Sequence, residues 1–245
     1  MDIRVLGAGS GMPSAALNCS AILVQANGQN FLLDCGEGVS KSLPLVNPNP
    51  DFLDAIIITH YHPDHVGGIF LLLQMLYLGK RSKAMTLFLP EREDDFRGIL
   101  QMFYTFPEKF GFRLDLQPME QLGTYFPQLT CMQNDHLTGY TEIIRKNQLT
   151  NRQKAYSIRI NSPEGDFVYS SDISTTDSIW HLLQGAHTLL VDAGHPEAEQ
   201  ILKLKQLGLK LVLMTHEPHA DLRQALRDIP SSLFQEAQEG EVYHI

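Results

Sequence analysis

One short segment concentrates side chains that bind metal ions. The motif His60-x-His62-x-Asp64-His65 places three imidazoles and one carboxylate within six residues. Imidazole nitrogens and carboxylate oxygens are preferred ligands of zinc and similar metals, and catalytic sites keep one position open for water. Because two of the four residues are adjacent and the other two lie two apart, one ion is not expected to take all four. The spacing predicts two ions side by side.

Buried strands followed by helices are predicted to position this motif. The apolar run Ala55–Thr59 leads directly into it, and near the N-terminus Asn27-Gly28 between two apolar runs is a strong hairpin signal. Strands that alternate with helices indicate a mixed α/β protein, a sheet covered by helices. Further strands are predicted over Ala21–Ala26, Phe31–Asp34, Thr86–Leu89, Leu129–Gln133, Thr188–Val191 and Leu209–Met214.

Two of the predicted strands end in the same dipeptide, Thr59-His60 and Thr215-His216. If the fold is built from two related halves, this echo would place both histidines at corresponding strand ends. Loops at strand ends are where functional residues collect.

Length and composition exclude several classes of protein. The 245 residues, 43% of them hydrophobic, predict one domain over residues 1–245 with a sizeable core. No apolar run approaches the roughly 20 residues of a membrane-spanning helix. Three cysteines without C-x-x-C spacing predict reduced thiols and a cytoplasmic protein. Residues 137–154 are polar and without clear periodicity, which predicts a surface insertion or a loop over the site.

The histidine motif after a buried strand resembles the signature of the metallo-β-lactamase fold superfamily. Residues 34–37, Asp-Cys-Gly-Glu, and residues 170–172, Ser-Ser-Asp, are similar to stretches in its ribonuclease Z and phosphodiesterase branch. The resemblance covers nearly the whole chain. It implies a four-layer αβ/βα sandwich with two divalent ions, usually zinc and sometimes manganese or iron. Dimers are common in that superfamily, so a homodimer is a further expectation.

The resemblance also implies the ligands. His136 and His216 follow predicted strands, as ligands of the family do, and Asp172 ends a stretch, residues 167–172, that is similar to a strand of the family. His219 is the rival of His216. The implied first ion is bound by His60, His62 and His136, and the second by Asp64, His65 and His216, with Asp172 as the bridging carboxylate.

Two further residues receive roles by the same resemblance. Asp34 matches an aspartate that orients a ligand histidine, and His195 matches a histidine that points at the scissile phosphate. The stretch after Asp192 is contracted relative to the ribonuclease Z branch, so the role of His195 stays open. Cys35 is predicted to be a buried thiol rather than a nucleophile.

The glycines of Gly7-Ala-Gly-Ser-Gly11 mimic a dinucleotide-binding turn. That fingerprint needs a helix next, and a strand is predicted instead. In the superfamily, such a loop lets the backbone pass close to the site.

A hydrolytic mechanism follows from these assignments. A water bridging two divalent ions loses its proton near neutral pH and becomes the nucleophile. Asp64 would orient the hydroxide, and His195 would donate a proton. Two divalent cations, two carboxylates and one hydroxide leave a single positive charge, which matches a phosphodiester anion better than a neutral ester.

The predicted function is therefore a phosphodiesterase, acting on a cyclic nucleotide, a cyclic phosphate or a short nucleic-acid end. The net charge of −9 argues against binding a long phosphate backbone. Two alternatives stay open, a hydrolase of lactones, esters or thioesters on the same fold and a non-hydrolytic relative that binds a small molecule.

Overall fold

The computed structural model describes residues 1–227, 229 and 232–245. These form two compact units, Met1–Leu122 with Gln238–His244, and Gly123–Ala237 with Ile245. The described strands are β1 (Asp2–Gly7), β2 (Ala21–Ala26), β3 (Gln29–Leu33), β4 (Ala55–Ile57), β5 (Met85–Leu89), β6 (Leu114–Pro118), β7 (Leu129–Gln133), β8 (Tyr156–Ile160), β9 (Phe167–Tyr169), β10 (Thr188–Asp192), β11 (Leu211–Thr215), β12 (Phe234–Glu236) and β13 (Val242–His244).

The described helices are mostly short. The α-helices are α1 (Val39–Val46), α2 (Pro63–Val66), α3 (Ile69–Leu78), α4 (Glu93–Met102), α5 (Leu122–Tyr125), α6 (Thr141–Asn147), α7 (Ala198–Lys203) and α8 (Ala220–Leu226). Among the described residues, five 3₁₀ turns cover Pro107–Lys109, Met119–Gln121, His136–Tyr140, Thr176–Ile179 and Leu204–Leu207. None of the helices in the described part of the chain is long and apolar enough to cross a membrane.

The first unit is built on a mixed sheet, whose described strands run in the order β13-β1-β2-β3-β4-β5-β6. The strands from β13 to β3 pair antiparallel, and those from β3 to β6 pair parallel. The hairpin predicted at Asn27-Gly28 is confirmed, because Ala26 pairs with Gln29 and both turn residues have positive φ. Helices α1, α3 and α4 cover the sheet, with Leu43, Leu72 and Phe96 in one core with its strands.

The second unit has a six-stranded sheet among the described residues, in the order β12-β11-β10-β9-β8-β7. Strands β7, β8 and β9 pair antiparallel, whereas β9 to β12 pair parallel. Ile201 of α7 and Leu222 of α8 pack with Val191 and Val212 of the sheet. Within residues 137–154, the turn His136–Tyr140 leads into α6, whose residues are nearly all exposed.

Each unit therefore starts with three antiparallel strands and continues with parallel ones. His60 follows β4, which is the first parallel strand after the antiparallel strands β1 to β3. His216 follows β11, which is the second parallel strand after the antiparallel strands β7 to β9. The prediction that the Thr-His echo marks corresponding strand ends is wrong. The residues that do correspond are Asp34 after β3 and Asp172 after β9.

Candidate metal centre

In the first unit, the four residues of the histidine motif lie together after β4. Pro63 occupies the first turn of α2, where its fixed φ favours helix initiation. This short helix carries Asp64 and His65. The ring of His60 lies 4.7 Å from that of His62 and 4.1 Å from that of His65, centre to centre. The motif therefore presents several donor nitrogens within a few ångströms of one another.

The carboxylate of Asp34 contacts His65 of this cluster through a buried hydrogen bond. Its Oδ2 lies 2.7 Å from Nδ1 of His65, and both side chains are completely buried. A carboxylate can only accept, so Nδ1 of His65 donates the proton and Nε2 is left with its lone pair. That Nε2 lies 3.6 Å from Oδ2 of Asp64. The predicted geometry, in which Asp34 orients a motif histidine, is present in the structure.

Thr59 extends the same control to His60. The backbone N–H of Thr59 donates to Asp34 Oδ1 at 2.8 Å, and its hydroxyl lies 2.9 Å from both carboxylate oxygens. The hydroxyl oxygen also lies 3.2 Å from Nδ1 of His60. With the hydroxyl proton directed at Asp34, the oxygen accepts from His60 Nδ1, which leaves Nε2 of His60 as the donor atom for a metal.

In the second unit, Asp172 lies between two histidines. Its Oδ2 is 3.5 Å from Nε2 of His136, and its Oδ1 is 3.1 Å from Nε2 of His216. All three side chains are at most 7% exposed. Each carboxylate oxygen thus faces a different imidazole, an arrangement that is compatible with a carboxylate shared by two ions.

Left-handed backbone conformations recur beside these residues. Asp34 has φ 59°, Ser171 has φ 54° and His216 has φ 61°. A non-glycine residue in this region is uncommon, and such conformations cluster at functional sites. The residue Gly194 allows the turn at His216, since a Cβ there would lie 2.3 Å from the carbonyl oxygen of His216. Tertiary packing therefore fixes where these ligand-type side chains point.

His195 is paired with Asp192. Nδ1 of His195 lies 2.8 Å from Oδ2 of Asp192 and 4.0 Å from Oδ2 of Asp172, and one donor atom from each of the three lies within 4.8 Å of the others. The imidazole is 46% exposed, unlike His136 and His216. Asp192 keeps a proton on Nδ1, so Nε2 is the nitrogen at which the ring can gain or lose its second proton.

The two residues that precede His136, Asn134 and Asp135, make hydrogen bonds that hold its loop in place. The side-chain oxygen of Asn134 accepts from the backbone N–H of His136 at 3.1 Å. Asp135 accepts from the backbone N–H of Ser174 at 2.8 Å and from the Thr175 hydroxyl at 2.7 Å. These contacts join the loop of His136 to the loop that follows Asp172.

Sequence reasoning assigned no role to Thr59, Asp135 or Asp192. The spacing of Asp192 three residues before His195 could have suggested the pair, whereas nothing in the sequence marks the contacts of Asp135. Cys35 is fully buried, and burial followed by the negative charge of Asp34 raises the pKa of its thiol well above the usual value. That environment supports the prediction that Cys35 is no nucleophile. His219 is exposed, at the start of α8.

The donor set fits borderline divalent ions. Imidazole nitrogens and carboxylates are clustered in buried positions in each unit, and the rings of His60 and His65 are oriented through Nδ1, so that Nε2 could bind a metal. Zinc, manganese and iron all accept such ligands.

Comparison with known proteins identifies the family. A family model described as Anti-Pycsar protein Apyc1 matches residues 1–192. The chain belongs to this Apyc1 family. A Ribonuclease Z of Alkaliphilus oremlandii is 26% identical over 233 residues, which are 91% of this chain and 72% of that protein. The Probable metallo-hydrolase YhfI of Bacillus subtilis is 25% identical, over 96% of this chain and 94% of that protein.

Solved structures show the same fold as this Apyc1 family member. The metallo-β-lactamase fold protein YhfI has a TM-score of 0.75 at 20% identity, covering 99% of this chain and 98% of that one. Human tRNase Z, short form, has a TM-score of 0.73 at 19% identity, covering 100% and 99%. The predicted metallo-β-lactamase fold and the ribonuclease Z-like branch are confirmed. The ligand assignments themselves stay predictions.

Proposed function

We propose that this protein is a phosphodiesterase that uses two divalent metal ions, most simply zinc. The observation that carries the proposal is Asp172, whose two oxygens face His136 and His216 separately at 3.5 and 3.1 Å. One buried carboxylate between two imidazoles is suited to two ions better than to one. The proposed ligands are His60, His62, Asp64, His65, His136, Asp172 and His216.

Bound divalent ions would supply a deprotonated water at neutral pH and neutralise charge on the phosphoryl group. The remaining steps belong to side chains. Asp64 is 10% exposed on its side chain and lies beside His65, so it can orient an attacking water. The side chain of His195 is 46% exposed and lies 4.0 Å from Asp172, and Nε2 is the atom from which it would give a proton to the leaving oxygen. Asp192 keeps the ring in place for that transfer.

The proposed substrate is a small phosphodiester, such as a cyclic nucleotide, a cyclic phosphate or a short nucleic-acid end. The relative named Ribonuclease Z supports phosphodiester chemistry. The net charge of −9 supports a substrate with few phosphates, because a long polyanion would be repelled outside the site. A cytoplasmic location and a homodimer remain predictions beside this proposal.

The test is a substrate panel with the metal-replete full chain. We expect hydrolysis of bis(p-nitrophenyl) phosphate that chelation abolishes and added metal restores. Ester, thioester and lactone substrates are assayed in parallel. The control variant His244→Ala removes an exposed histidine that pairs with Asp2, and we expect it to have wild-type activity. Hydrolysis of the ester, thioester or lactone substrates without hydrolysis of the phosphodiester would show that the protein is a carbonyl hydrolase instead. No turnover of any substrate would favour a non-hydrolytic binding protein.

A further inference from the structure

The loop between β1 and β2, residues 8–18, passes directly beside Asp64. A Cβ built on Gly11 would lie 3.5 Å from Oδ2 of Asp64. Residues 11–16 are exposed, and Met12 is 81% exposed. The loop tip therefore forms a wall next to Asp64, a buried carboxylate whose side chain is still 10% exposed.

One side chain near the C-terminus holds both ends of this loop. Oε1 of Glu239 accepts from the backbone N–H of Asn18 at 2.6 Å and from that of Ala8 at 3.2 Å. Its Oε2 accepts from the Asn18 side-chain amide at 3.2 Å. Between the ends, the N–H of Gly9 donates to the Asn18 carbonyl at 2.9 Å. A residue more than 220 positions away thus closes the base of the loop.

A carboxylate is the group that this base requires. Three N–H groups converge on it, and a carboxylate has two acceptor oxygens and no donor. Hydrogen bonds to a charged acceptor are about twice as strong as neutral ones. The tip itself has a local contact, in which the Ser14 hydroxyl oxygen accepts from the N–H groups of Ala16 and Leu17. That contact shapes the tip and does not tie it to the rest of the unit.

We propose that Glu239 is a positioning residue that fixes residues 8–18 against Asp64 and thereby sets how tightly substrate binds beside that carboxylate. The substrate half of this inference rests on the proposed function. Loss of the Glu239 side chain removes three hydrogen bonds from the loop ends and leaves the bond between Gly9 and Asn18, so the loop beside Asp64 becomes more mobile. The chemical step uses other residues, so substrate affinity changes and the turnover number does not.

The experiment compares Glu239→Ala, Glu239→Gln and the control Glu241→Gln in the full metal-replete chain. Glu241 is exposed, and its carboxylate accepts from the Tyr243 hydroxyl instead. Hydrogen exchange is measured at the amides of Ala8, Gly9 and Asn18, and KM and kcat are measured on bis(p-nitrophenyl) phosphate. Metal content equal to wild type shows that the variants are folded at the histidine motif.

We expect Glu239→Ala to exchange these amides about tenfold faster or more and to raise KM about tenfold, with kcat changed by less than about threefold. Glu239→Gln is expected to be milder, because its amide oxygen still accepts, and Glu241→Gln to match wild type. Unchanged hydrogen exchange in Glu239→Ala would show that Glu239 does not fix residues 8–18. Faster exchange with unchanged KM would overturn the substrate role. If wild type hydrolyses no phosphodiester, the proposed function and the proposed effect on substrate binding are both refuted. The hydrogen-exchange result still tests whether Glu239 fixes residues 8–18.

Discussion

The Nδ1 atom of His65 and the Oδ2 atom of Asp34 lie 2.7 Å apart, and neither side chain has any exposed surface. The same carboxylate accepts from the backbone and hydroxyl of Thr59, whose oxygen lies 3.2 Å from Nδ1 of His60. One buried aspartate therefore orients two of the proposed ligands. Removing a residue that orients a metal-binding histidine typically lowers metal affinity or activity about 10- to 100-fold.

Replacing this aspartate should weaken metal binding without removing a ligand. In Asp34→Asn, the amide group would present a donor where His65 or Thr59 donates now. We expect zinc affinity to fall about 10- to 100-fold, measured by competition with a chromogenic chelator. Asp115→Asn is the control, because that aspartate pairs with the exposed Arg113. Equal affinity in Asp34→Asn and wild type would show that the contact does not orient the ligands.

His195→Ala should separate proton transfer from metal binding. The imidazole is 46% exposed and held by Asp192 at 2.8 Å, which fits a proton donor. We expect a fall in kcat of about 10²- to 10⁴-fold on the phosphodiester, with unchanged metal content. Asp192→Asn should lose part of the same activity, because the ring loses its orienting partner. Wild-type turnover in His195→Ala would refute the role, and loss of metal would make His195 a ligand instead.

Much of the fold was predictable because its strands are apolar and bounded by turn residues. The ranges predicted for the strands Ala21–Ala26 and Leu129–Gln133 match β2 and β7. Helix α1 was not predicted, because Pro44 in its interior counts against a helix. Val39 and Leu43 are nevertheless buried in the core of the first unit, and tertiary packing overrides the local preference there.

The site was predictable where ligands are clustered in sequence and not where contacts cross the chain. The motif from His60 to His65 is visible at once, because four donors fall in six residues. The contact of Glu239 with Asn18 joins residues 221 positions apart, and no local pattern announces it. No local pattern predicts the left-handed backbone at His216 either, and its carbonyl lies so close to Gly194 that a Cβ there would clash.

Arg81 should contribute strongly to the stability of the first unit. It is 1% exposed, donates to the carbonyls of Pro50, Leu53 and Ala84 at 2.6 to 2.8 Å, and lies 5.6 Å from the Phe112 ring. A lysine cannot span these carbonyls, because its ammonium lacks the planar fork.

We expect Arg81→Lys to lower the free energy of unfolding by about 2 kcal/mol in urea titrations. The control is Arg113→Lys, since the Arg113 side chain is 76% exposed. A difference between the two variants of less than about 0.5 kcal/mol would contradict the assignment.

Asp51 should make stability depend on pH in the acid range. The backbone N–H groups of Lys83 and Ser82, and then the Ser82 hydroxyl, hold the pKa of Asp51 below its usual 3.8. A carboxyl group whose pKa is lower in the folded than in the unfolded state stabilises the protein at pH values above its unfolded-state pKa. This contribution is lost as the pH falls through the folded-state pKa. Asp51→Asn should therefore destabilise the protein at pH 7 and not at pH values below the folded pKa.

Urea unfolding of Asp51→Asn at a series of pH values, with Asp94→Asn as the control for the lost charge, measures this effect. Asp94 is an exposed residue of α4. A difference from wild type that stays constant from neutral to acid pH would contradict the linkage.

Metal stoichiometry decides whether the chain binds two divalent ions. The full chain is stripped with a chelator, repleted with zinc, freed of excess metal and measured by elemental analysis, beside the variant Asp172→Asn. We predict about two zinc ions per wild-type chain and a loss of about one or more in Asp172→Asn, because each oxygen of Asp172 faces a different histidine. Wild-type protein that binds no metal after repletion, or Asp172→Asn that keeps the full wild-type complement, would contradict the account.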